Sequence, residues 1–175
     1  GDVILTTGTH GLSKLGFLIQ NKTNLYNDIS LNKRLISKSI EHFCRPKVYP
    51  NFLKNLIKTR SNKKIKRIGC TDSSDGLFQA LQDLASASKC KAIINYEKIP
   101  KDKDWPRGDK WDEYYFFGGE DYELVFSLPK KWAKNLSKLD KDINEIGFFA
   151  DGEPSIEFKD SNKNKLLNNT PFKHF

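Results

Sequence analysis

Residues 114–129 read YYFFGGEDYELVFSLP, and no other stretch restricts the fold as much. Four aromatics run into Gly118 and Gly119, three carboxylates follow at Glu120, Asp121 and Glu123, and the chain then turns apolar through Leu128. So hydrophobic a run predicts a mostly buried strand, or two strands broken at the glycines. A carboxylate drawn into such company is costly unless a partner, a metal or a ligand compensates it. Strict alternation sets Tyr122, Leu124 and Phe126 on one face and Glu123 and Val125 on the other, so Glu123 projects among apolar neighbours. The competing reading is an edge strand whose charges guard against aggregation. The glycine pair lets the backbone bend or approach a ligand closely.

The flanking pattern alternates strand and helix signals. Residues 2–7, DVILTT, predict a strand, and GTHGLSKLGFLIQ a glycine turn into a helix with Leu12, Leu15, Leu18 and Ile19 on one side. A second helix is expected over 30–43, then a short third one after Pro46 and Pro50. Residues 65–71 predict a strand, DGLFQALQDLASASK a helix, and 91–99 another strand before a long polar loop, PKDKDWPRGDKWDE. A helix around KWAKNLSKL, strands at INEIGFFA and SIEFK and a polar tail complete the chain. There is no internal repeat, and the interleaving implies an α/β or α+β sandwich.

At 175 residues, with 37% hydrophobic and 12% aromatic residues, the chain has material for one domain with a real core. Its apolar runs are too short to span a bilayer, so neither a membrane span nor a secretory leader is expected, and the expected location is the cytoplasm. Cys44, Cys70 and Cys90 are an odd number without a CxxC pair, which argues for reduced thiols over a disulfide framework or a zinc site. The net charge of +8 raises a nucleic-acid reading. However, the lysines lie in Asn- and Ser-rich segments without the interleaved aromatics a base-stacking surface needs, so no nucleic-acid partner is expected. A basic surface also steers phosphorylated metabolites inward. The chain has no methionine and opens inside an apolar run, which reads as a piece of a longer protein.

Two turns carry the chemistry-bearing residues. In TDSSDGL, residues 71–77, Asp72, Ser74 and Asp75 lie between a strand end and a helix start. Unpaired amides there favour phosphate and the carboxylates suit Mg²⁺; ordinary helix capping by Ser and Asp explains the same residues. Gly8-Thr9-His10-Gly11 has the same two interpretations, a phosphate-approaching turn or a tight strand-to-helix connection. His10 is expected to be solvated and His42 to lie on an amphipathic helix, neither with a partner evident in the sequence.

Taken together, GDVILTTGTHG, CRPKV, TDSSDGL and FFGGEDYELVFSLP, in this order and closing on HF, resemble the C-terminal half of the thiamine-monophosphate kinase family. The likeness covers essentially the whole chain. GGEDYEL is its specific part, whereas the D-x-S-D-G-L turn is shared with relatives such as aminoimidazole ribonucleotide synthetase and selenophosphate synthetase. The resemblance implies an α+β fold, a mixed β-sheet covered by helices and partly ferredoxin-like. It also implies one C-terminal domain over residues 1–175 of a longer two-domain kinase, which pairs as a homodimer through the N-terminal domain.

The implied reaction is transfer of the ATP γ-phosphoryl group to thiamine phosphate with Mg²⁺. By the family pattern Asp72 and Asp75 would ligate Mg²⁺, Ser74 would touch the nucleotide, Glu123 would face the thiamine moiety, and Phe175 would pack on the substrate. Glu120 and Asp121 would brace the glycine bend, and no side chain is assigned as a catalytic acid or base. Without its N-terminal half the chain is expected to be inactive. The alternatives are another ATP-using enzyme of the same superfamily and a noncatalytic basic binding domain.

Overall fold

The structure is a computed structural model that describes residues 1–21, 31–60 and 67–168, apart from the side chains of Ser161 and Asn168. The elements run β1 (Val3–Thr7), α1 (Leu12–Gln20), α2 (Lys33–Cys44), α3 (Phe52–Thr59), β2 (Gly69–Asp72), α4 (Leu77–Ser88), β3 (Lys91–Ile94), α5 (Asp109–Phe117), β4 (Leu124–Leu128), α6 (Lys130–Leu139), β5 (Ile143–Ala150) and β6 (Ser155–Phe158). Short 3₁₀ segments occupy Tyr96–Lys98 and Ser161–Asn168.

Alternation along the strands divides the apolar side chains between two cores. Val3, Leu5, Phe126, Leu128 and Ile143 face α3 and α6, where they meet Leu56, Trp132 and Leu136. Ile4, Val125 and Ile146 face the opposite side, against Leu12, Leu15, Leu35, Leu77, Leu81 and Phe116 from α1, α2, α4 and α5. The six-stranded sheet, in the order β2-β4-β1-β5-β3-β6, is thus covered on both faces. Its neighbours are antiparallel except β3 and β6, making the sheet mixed. Because β4 and β5 each run antiparallel to β1 between them, β4-α6-β5 is a split β-α-β unit, the ferredoxin-like part of the α+β fold.

The structure corrects three expectations. Tyr114–Phe117 form the last turn of α5, not a strand. Trp111, Tyr115, Phe116 and Phe117 are all buried, and a helix apolar on so many sides shows no amphipathic period to read. Gly118 ends it by turning to extended backbone, φ −67° and ψ 128°, at a position where a Cβ would lie 2.1 Å from the Tyr114 carbonyl oxygen. Second, β4 is not an edge strand, since β2 and β1 flank it. Third, the strand expected over 91–99 stops at Ile94, where Asn95 accepts a hydrogen bond from Glu97 N and opens the 3₁₀ turn. The strand expected over 65–71 is described from residue 67 and is β-paired over Gly69–Asp72, its first two residues lying outside the described ones. Among the described residues no helix is long and apolar enough to cross a membrane, and the three cysteines are unpaired.

Candidate functional site

The turn after β1 delivers the chain into α1 with no capping side chain of its own, because Gly11 is the N-cap, at φ 83°. Asp121 supplies the cap from across the fold. Gly11 N–H donates to Oδ2 at 2.5 Å and Ser13 N–H to Oδ1 at 2.9 Å, which places a carboxylate on the positive end of the helix. The glycine turn is therefore a tight connection whose anion position is filled by the protein itself. Asp121 is fully buried, and that burial pushes its carboxyl up to about 6 against the two amide bonds.

Glu123 belongs to the same cluster. Thr7 Oγ1 donates to Oε2 at 2.5 Å and in turn accepts from Leu124 N–H at 2.9 Å. His42, reaching in from α2, stands 3.6 Å from Glu123 and 3.7 Å from Asp121, with its Nδ1 3.0 Å from Ser13 Oγ. Burial raises the Glu123 carboxyl, but His42, Thr7 and the adjacent Tyr49 phenol more than offset that and hold it below its ordinary value. Gly8 packs directly over the carboxylate at φ 50°, where a Cβ would fall 1.9 Å from Oε1.

Three further expectations are corrected here. His10 is wholly buried, bonded through Nε2 to Thr6 Oγ1 at 2.8 Å, with burial pulling its pKa down to about 4. His42 does lie on α2, but it bridges two carboxylates. No local pattern signals this, because its partners lie 29 to 81 positions away. Nor does Asp121 brace the glycine pair beside it; it braces α1.

The second turn is open to solvent. Asp72 is exposed and accepts at Oδ1 from Ser74 N–H at 3.1 Å and Ser74 Oγ at 2.7 Å, while Ser74 and Asp75 are half-buried. The N-cap of helix α4 is Gly76 at φ 94°, which offers the helix no side-chain hydrogen bond of its own. Backbone bonds tie this turn to the GGEDYEL segment: Ser73 N–H donates to the Glu123 carbonyl at 2.9 Å, Glu123 N–H to Ser73 Oγ at 3.1 Å, and Glu120 N–H to the Ser74 carbonyl at 2.7 Å.

The structure thus brings Asp72, Ser74, Asp75 and Glu123 to one end of the sheet. Glu123 is only 1% exposed, screened by Thr7, His42 and Tyr49. Phe175 lies outside the described residues. Among the described residues no three metal-ligating side chains converge. Even so, Asp72 and Asp75 are hard oxygen donors near solvent, the donor set Mg²⁺ uses when one or two carboxylates share it with phosphates and water.

Glu120 and Tyr122 adopt left-handed backbone, φ 69° and 53°. That geometry turns Asp121 and Glu123 inward and leaves Tyr122 at the surface, 42% exposed, its phenol donating to Glu120 Oε2 at 2.7 Å.

Known proteins share this sequence and fold. The chain is 33% identical, over its full length, to a thiamine-monophosphate kinase of Prochlorococcus marinus and 30% identical to one of Synechococcus elongatus. It covers 53% and 52% of those proteins, so it spans about half the length of these relatives. The solved structure of AaThiL complexed with AMPPCP and TMP superposes on the whole chain with a TM-score of 0.73 at 26% identity, again over 52% of that protein. Residues 1–157 match the profile of the AIR synthase related protein C-terminal domain, and the chain belongs to that family.

Proposed function

We propose that this chain is the C-terminal domain of a thiamine-monophosphate kinase, which transfers the ATP γ-phosphoryl group to thiamine phosphate and forms thiamine diphosphate. The observation that carries the reading is the backbone bonding of the Asp72–Asp75 turn to the GGEDYEL segment, which sets the nucleotide-type and acceptor-type motifs side by side. The kinase relatives and the AMPPCP- and TMP-bound AaThiL structure support it.

An acceptor that is already a phosphate anion needs no strong general base. Catalysis then rests on aligning the two phosphates and neutralising their charge. Asp72 and Asp75 would hold Mg²⁺, which supplies that neutralisation when bound, and Ser74, fixed by Asp72, is placed to meet the nucleotide. Glu123 acts on the acceptor side, and Phe175 would close over the substrate. The remaining half of the relatives' length completes the site, so the chain alone should be inactive.

The test uses the full-length protein carrying this chain, with ATP, Mg²⁺ and a panel of acceptors. Product from thiamine phosphate but not from thiamine supports the reading; turnover only with another phosphorylated or carboxylated acceptor replaces it with a different activity of the superfamily. Glu123→Gln should raise KM for thiamine phosphate and leave that for ATP alone, and wild-type kinetics would remove Glu123 from the acceptor side.

A further inference from the structure

The three acids of GGEDYEL are all engaged within the protein: Asp121 on α1, Glu123 on Thr7, and Glu120 on the Tyr122 phenol. The group this segment turns to solvent is the Tyr122 ring. Its backbone is held on both sides, through the hydrogen bond from Glu120 N–H to the Ser74 carbonyl and the pair of hydrogen bonds between Ser73 and Glu123. A ring set on so constrained a segment loses little freedom when a ligand packs on it.

Its surroundings differ from those of other aromatics in the molecule. With 30 lysines and arginines, the chain repeatedly lays its own cations over aromatic faces: Lys101 on Tyr96 and Tyr115, Lys47 on Tyr49, and Lys159 on Phe148, the other exposed aromatic among the described residues. No described cation or aromatic ring packs on Tyr122. Instead its phenol is held high first by Glu120, then by slight burial and the charges of Asp72 and Asp75. An open, electron-rich face beside the Glu120 carboxylate complements a cation from outside.

Resting on the kinase reading above, we propose that Tyr122 is a specificity residue for the acceptor, taking the positively charged thiazolium ring of thiamine phosphate against its face. ATP carries no such cation, so the contact separates the two substrates. Glu120 acts as a positioning residue that fixes the ring's orientation through the phenol.

The experiment measures steady-state kinetics and equilibrium binding on the full-length kinase, with thiamine phosphate and its neutral thiophene isostere as ligands. Tyr122→Leu should raise KM for thiamine phosphate about tenfold, the scale of one desolvated cation–π contact. It should change KM for ATP by less than about twofold and erase the preference for the cation over the isostere. Tyr122→Phe, which keeps the ring, should retain most of that preference. The proposal is overturned if Tyr122→Leu keeps the cation preference or raises both KM values equally. Should Tyr122→Leu fail to fold, a Tyr122→Phe protein without cation preference overturns it equally well. A wild-type protein that does not use thiamine phosphate refutes the kinase reading itself and overturns the proposal with it.

Discussion

Two pairs of acids lie within one hydrogen-bonded span of each other and do opposite work. Asp121 and Glu123 are 0% and 1% exposed and spend their charge on amides, a threonine and a histidine. Asp72 and Asp75 are exposed and half-buried and sit on a turn at the solvent edge of the sheet. The first pair builds the strand-to-helix junction, and the second lies where a ligand can reach it. Acid residues in a conspicuous motif are thus not equivalent candidates for chemistry. Asp121 should govern stability, Asp72 and Asp75 activity, and Glu123, buried but assigned to the acceptor side, both.

The sharpest way to break that division is Gly8→Ala. A side chain there meets the Glu123 carboxylate on a left-handed backbone, and a loss of about 2–4 kcal/mol is expected from overpacking and strain. A urea midpoint unchanged from wild type would show that the junction is soft. Next in size, Asp121→Ala should cost about 1–3 kcal/mol at neutral pH, because it orphans the Gly11 and Ser13 amides. Thermal melts on the same protein would check it.

A pH series sharpens the comparison further. Burial raises Asp121 from 3.8 to about 6 and lowers His10 from 6.5 to about 4. An acid whose folded pKa is raised holds its proton more tightly in the folded state, so Asp121 adds stability as pH falls through about 6 toward 3.8. A base whose folded pKa is depressed does the reverse, so His10 removes stability as pH falls from 6.5 through about 4. The lowered Glu123 contributes stability above 4.5 that is lost only below it, as pH falls through its folded value.

In the wild type the first two nearly cancel. Asp121→Asn should therefore lose stability more steeply than wild type on acidification, and His10→Gln should lose less. Superimposable denaturation midpoints across this range would contradict both shifts. Smallest in stability is Asp75→Asn, expected within about 0.5 kcal/mol of wild type. On the kinase reading proposed above it should nevertheless cost the full-length protein about 100-fold in turnover, and extra Mg²⁺ should restore that only partly. An Asp75→Asn enzyme of normal activity and Mg²⁺ dependence would move the turn to the structural side of the comparison.

Much of this was legible in the chain. Short apolar runs exposed β1, β4 and β5, which send side chains into both cores, and helical spacing exposed α4, which has one face toward a core. The Asp72–Asp75 turn was legible because its residues act locally. Helix α5 was hidden because Trp111, Tyr115, Phe116 and Phe117 are buried around most of it, leaving aromatics that read as strand. The roles of Asp121, His42 and His10 were hidden for another reason. Their partners are set by how strands and helices assemble, and Glu120 and Tyr122 depart from the backbone region that alternation assumes.

The Asp121 cap also bears on the order in which the molecule comes together. Helix α1 is closed by a residue 108–110 positions downstream, and β1 lies between two strands that are both late in the chain. A nascent chain emerging from the ribosome therefore has β1 and α1 long before it has what settles them. Nine residues without a cap are too few to hold a helix in water. A peptide of residues 1–21 should show almost no helical circular dichroism, and folding should await β4, making it slow for a domain of this size.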